Sequence, residues 1–90
     1  MIAVQISLYP VRQQNIDEAL DAFWASLGRQ MVKYKINPLS TVAWSQDEDQ
    51  LYQSIFKAYQ AARKHGNAVM VTTLTTGTEK EVSELLKFLS

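Results

Sequence analysis

Residues 31–45 read MVKYKINPLSTVAWS, and the pattern of this stretch decides how the rest of the chain is arranged. Val32, Tyr34 and Ile36 alternate with Lys33 and Lys35, which is the period of a strand with one apolar face and one wet face. Asn37-Pro38 is a turn signal. Residues 39–45 follow at once and are rich in β-branched and aromatic side chains. So short a connection joins the two strands as a hairpin.

On either side of the hairpin the period changes. Upstream, Ile16, Ala19, Leu20, Phe23 and Leu27 recur at helical spacing. Asn15 with Glu18 reads as the capping box that opens this helix, and Gly28 as the residue that closes it. Before it, Ile2, Val4, Ile6 and Leu8 alternate with Ala3, Gln5, Ser7 and Tyr9, a strand that Pro10 ends by removing a ladder donor. Downstream, Ser45-Gln46-Asp47-Glu48 reads as a second capping box. The buried stripe behind it is Leu51, Ile55, Ala58, Tyr59 and Ala62. Arg63, Lys64 and His65 sit at the negative end, and Gly66 follows. Residues 68–75 form a fourth strand. Thr78 with Glu81 then opens a last helix carrying Val82, Leu85, Leu86 and Leu89.

The order is β-α-β-β-α-β with a C-terminal helix. Right-handed crossovers fold its first six elements into an α+β, ferredoxin-like sandwich. Four antiparallel strands carry two helices on one face. Residues 1–90 make one domain, with no repeat or linker. The second face of the sheet is too apolar to stay wet. The last helix, a ligand or a second copy should cover it, and a homo-oligomer, dimer or tetramer, paired through the sheet is the economical answer.

Composition narrows the functions. Nine basic and nine acidic side chains cancel, so the chain lacks the basic footprint of a nucleic-acid binder. It has no cysteine, which removes disulfides, thiolate nucleophiles and cysteine-held metals. With one histidine besides, no metal site and no cofactor is expected. No stretch approaches a membrane span, and residues 1–9 read as a strand rather than a signal peptide. A cytoplasmic address follows by default.

The chemistry-bearing residues point to binding rather than catalysis. His65, in a helix's last turn, reads as a cation favouring the helix C-terminus, not as a catalytic base. Asp47, Glu48 and Asp49 read as a solvated first turn, the alternative being contact with a cationic ligand. What remains is a set of hydroxyls, an amide and aromatics on strands and strand ends: Ser7, Tyr9, Asn37, Ser40, Thr41, Trp44, Thr72 and Thr73. Each one alone fits ordinary strand composition. As a group they suit a flat, amine-bearing heterocycle, with rings to stack on it and hydroxyls to satisfy its nitrogens.

Several segments carry a more specific likeness. Gln5-Ile6-Ser7-Leu8-Tyr9-Pro10, Asn37-Pro38-Leu39-Ser40-Thr41-Val42, Ala58-Tyr59-Gln60-Ala61-Ala62 and Val69-Met70-Val71-Thr72-Thr73 resemble the corresponding segments of the small YkoF-like thiamine-binding family. The hairpin segment is the most specific of them. The resemblance implies ferredoxin-like domains that associate through their sheets. It also implies binding of thiamine or its hydroxymethylpyrimidine half, without catalysis, in vitamin uptake or salvage. Ser7 and Tyr9, Ser40 and Thr41, and Thr72 and Thr73 match the family's first, third and last strands. Trp44-Ser45 departs from it, because relatives carry an acid or glycine there. Two other readings stand beside this one: a cofactor-free oxygenase on the same fold, resting on analogy alone, and a structural or regulatory module whose sheet serves only oligomerisation.

Overall fold

The computed structural model describes residues 1–11, 16–30, 32–37 and 40–89, the side chains of residues 88 and 89 excepted. Its elements are β1 (Ile2–Pro10), α1 (Ile16–Arg29), β2 (Lys33–Ile36), β3 (Thr41–Ser45), α2 (Glu48–Arg63), β4 (Ala68–Thr76) and α3 (Glu79–Leu89). The sheet is antiparallel with the order β2-β3-β1-β4. The chain is therefore a ferredoxin-like α+β sandwich with an added C-terminal helix, as its periodicities predict.

Strand β1 pairs with β3 and β4 at once, and its alternation sorts both neighbours. Ile2, Val4, Ile6 and Leu8 face α1 and α2. Register puts Thr41 beside Ile6 and Ala43 beside Val4 on that face, with Met70, Thr72 and Leu74 from β4. The core is Ile2, Val4, Ile6, Phe23, Leu27, Val32, Ala43, Leu51, Ile55, Ala58 and Ala62, with Leu8, Trp24 and Met70 packed against it. Burying one such large side chain contributes about 1.5–3 kcal/mol. The opposite face presents Ala3, Gln5, Ser7 and Tyr9, flanked by Val42 and Trp44 of β3 and by Val69, Val71, Thr73 and Thr75 of β4.

Four local expectations need correction. Pro10 is part of β1, opposite Ala68, and Val11 N–H still donates to the Asn67 carbonyl at 2.9 Å. The last β3 partner of β1 is at Ile6, so Pro10 sits where that side of the strand has no ladder to interrupt. Gly28 lies inside α1 rather than closing it. A Cβ there would meet the Tyr34 hydroxyl at 3.2 Å, so its use is close approach. Ile16 is exposed and does not join the buried stripe of α1. The cap of α2 is Asp47, whose carboxylate accepts from Gln50 N–H at 3.0 Å. Ser45 stays in β3 and accepts from Asp47 N–H at 3.0 Å. The proposed cap at Asn15, Pro38 of the expected Asn37-Pro38 turn, and the Leu89 side chain lie outside the described residues. Gly66 follows α2 with φ 140°, a conformation suited to glycine.

Helix α3 folds back across the second face of the sheet. Val82 is buried, and Leu85 and Leu86 lie against Thr73, Thr75, Val42 and Trp44. A reciprocal box starts the helix. Thr78 N–H donates to Glu81 Oε1 at 3.0 Å, and Glu81 N–H donates to Thr78 Oγ1 at 3.2 Å. Thr78, first through its backbone N–H and then through its hydroxyl, holds the Glu81 carboxyl below its ordinary value of about 4.5. A lowered carboxyl stabilises the folded helix fully above that ordinary value and loses the effect as pH falls through the lowered one. Amide exchange in α3, followed from pH 6 to pH 3, should therefore quicken relative to the core only at the acid end. Glu81→Gln, which keeps the box but cannot titrate, should flatten that dependence. An unchanged profile in the variant would remove Glu81 as its cause.

Candidate functional site

A concavity of about 480 Å³ opens between α1 and the far end of the β2–β3 hairpin. That is within the usual range for small-molecule pockets. The floor is Ile6 and Leu8 of β1. One wall is Leu20, Phe23 and Trp24 of α1, and the other is Ile36, Asn37, Ser40 and Thr41. Strand β3 last pairs with β1 at Ile6, while β1 runs on beside β4 to Pro10, and the cleft opens at that end of the sheet.

Polar groups gather at the hairpin wall. Trp24 Nε1–H donates to Thr41 Oγ1 at 3.1 Å. Thr41 is buried, and a hydroxyl that accepts this bond still carries a proton of its own to donate. Asn37 N–H donates to the Ser40 carbonyl at 2.7 Å. Gln5 Nε2–H donates to Ser40 Oγ at 3.3 Å, from the other face of the sheet. The described lining carries neutral hydrogen-bonding groups and rings, and no side chain in it bears a charge. It suits an uncharged planar molecule with edge nitrogens better than an ion.

Of the eight residues singled out in the sequence, the structure brings Asn37, Ser40 and Thr41 together in this cleft. Ser7, Tyr9 and Thr73 project from the opposite face of the sheet. Thr72 faces the helices, but it lines a separate depression with Tyr52, Phe56 and Met70. Trp44 lies beneath α3, against Ser83, Leu86 and Lys87, so its ring is a platform for the chain's own helix. The eight therefore do not form one site, since a strand shows successive side chains to opposite faces.

The sequence reading missed Trp24, Phe23's neighbour in the wall. Its spacing of four from Leu20 and three from Leu27 places all three on one helical face. Gln5 was missed because its alternation points it away from the cleft, and it reaches Ser40 only at the strand end.

No protein-family model matches the chain, and no curated protein matches it in sequence. Solved structures do match its fold. A Streptococcus pneumoniae protein superposes with a TM-score of 0.81 at 20% identity, over 96% of this chain and 97% of its own. A domain of unknown function (DUF77) from Bacillus cereus gives 0.75 at 15%, over 87% and 77%. A candidate thiamine biosynthesis/salvage protein from Thermotoga maritima gives 0.73 at 14%, over 93% and 97%. At these identities the likeness is one of fold.

The Trp24–Thr41 bond is testable apart from any ligand. Thr41→Val leaves the indole N–H without its acceptor and should cost about 1–2 kcal/mol of stability. In the Trp24→Phe background the same change should cost much less. A denaturant double-mutant cycle reads the difference, and equal costs in both backgrounds would mean that the bond contributes nothing.

Proposed function

We propose that the cleft between α1 and the hairpin binds a thiamine-type ligand through its aminopyrimidine half, and that the protein carries, buffers or senses this ligand without transforming it. The observation behind the reading is the composition of the cleft wall. The Trp24 and Phe23 rings flank an apolar slot whose one end holds the Thr41 hydroxyl, with Asn37 and Ser40 lining the wall beside it. A methylated aminopyrimidine is flat, has ring nitrogens that accept and an exocyclic amine that donates, and matches that split between rings and hydrogen-bonding groups. The likeness of segments 5–10 and 37–42 to the YkoF-like thiamine-binding family supports the choice of ligand, as does the fold shared with the Thermotoga maritima protein.

Catalysis by a cofactor-free oxygenase needs a placed His, Asn or Trp, of which the sequence offered Asn37 and Trp44. Trp44 lies beneath α3, while Asn37 lines the cleft together with Trp24, so the test must include the fate of the bound compound. On the sheet's second face α3 leaves Tyr9, Val69 and Val71 half exposed. In this reading that strip is where two copies meet through their sheets.

Calorimetry and thermal denaturation with hydroxymethylpyrimidine and with thiamine test the reading. Ligand at about 100 times its dissociation constant should add about 2.7 kcal/mol to stability. Thr41→Val should weaken binding about 5- to 30-fold, the equivalent of about 1–2 kcal/mol. Leu20→Trp, which fills the slot, should abolish it, while Trp44→Phe beneath α3 should stay within about twofold. NMR of the recovered ligand should show it unchanged. Absence of any stabilisation by either compound, or loss of binding through Trp44 rather than Leu20, would sink the proposal.

A further inference from the structure

We propose that the depression between Trp44 and helix α3, on the sheet face away from the cleft, binds a small carboxylate whose apolar body is about one aromatic ring in size. Register prepares the place. Lys33 lies opposite Trp44, and Lys35 opposite Val42, so both lysines stand on the face that α3 crosses. Helix α3 brings Ser83, Leu86 and Lys87 over the same spot.

The Trp44 ring stands between two hollows that differ in charge. On one side Lys33 shares a hollow with Asp47 and Glu79, where both signs are present. On the other side Lys35 of β2 and Lys87 of α3 border a hollow whose remaining described walls are Val42, Trp44, Leu86 and Ser83. No acidic side chain is among those walls. Two cations from separate elements thus converge on one apolar slot, and an anion at its rim would relieve their repulsion.

Size and polarity narrow the choice of anion. The slot holds about 150 Å³, and an apolar cavity of about that volume takes up benzene. A ring can enter against the Trp44 indole while its carboxylate stays at the wet rim, where lysine ammoniums reach on flexible stems. Inorganic phosphate would gain the charge contact and forgo the apolar one. The combination therefore selects an aromatic carboxylate over a bare anion.

Such a ligand would touch the sheet and α3 together. Val82 is the one buried side chain among those described in α3, so the helix has few other anchors. A ligand bound only when α3 is docked holds it docked, by mass action.

Phenylacetate is the probe. The chain has two tryptophans, and Trp24→Phe leaves Trp44 as the sole reporter. Its emission should change saturably, with a dissociation constant below about 1 mM. Phenylacetamide, of the same shape without the charge, should bind at least about fivefold more weakly. Lys35→Gln and Lys87→Gln, both at exposed positions that spare the fold, should each weaken phenylacetate about threefold. Lys33→Gln, in the hollow that carries both signs, should leave it nearly unchanged. In the unaltered chain, saturating phenylacetate should slow amide exchange in α3 and not in α1. No saturable change, equal affinity for phenylacetamide, displacement by inorganic phosphate at equal concentration, a loss through Lys33 as large as through Lys35, or unaltered exchange in α3 would each overturn the proposal. The cleft lies on the other face of the sheet, so none of these readouts depends on whether it binds a thiamine-type ligand.

Discussion

Strand β1 carries hydrogen-bonded neighbours on both sides, and the pairing ties three distant parts of the sequence to one register. Once Ile6 lies beside Thr41 and Thr72, the face of every other sheet residue is settled. Alternation along β1 supplies the apolar half, and antiparallel pairing copies it outward. A slip of one residue would exchange the core face for the open face along the whole strand. The buried Ile2, Val4 and Ile6 make that slip expensive, which is why the register is also what positions the cleft.

The cleft lies at the end of the sheet where β1 outlasts its described pairing with β3. Strand β4 follows β1 to Pro10, while β3 leaves it at Ile6. The Trp24 indole bridges from the helix to the first residue of β3 and holds the wall in place. Packing and the Trp24–Thr41 bond thus set the slot's width, and Asn37 and Ser40 line its end.

The order of elements was legible because its signals are local. Period-2 and period-3.6 runs, the Thr78–Glu81 box and Gly66 need no knowledge of the partner strands. The cap of α2 was read two residues early because Ser45 and Asp47 both fit a cap; β3 pairing at Ile2 claims Ser45 and leaves Asp47 for the helix. The site was legible only in part. Asn37, Ser40 and Thr41 adjoin one turn and stay together in any register. Ser7, Tyr9 and Thr73 have the same chemistry but the other parity, and Trp44 has a helix over it. Trp24 was missed because a large aromatic in an amphipathic helix reads as core, and its role lies in a bond to a residue seventeen positions away.

A chain of ninety residues has too little interior to hide all of its apolar surface, and here the surplus is unevenly placed. Helix α3 takes the end of the open face around Ala3, Val42 and Trp44 and leaves the strip at Tyr9, Val69 and Val71. Beside α2, Tyr52, Phe56 and Leu74 are left on the helix side of the same strand. Both remainders adjoin β4. Lysines blunt the opposite edge, at β2.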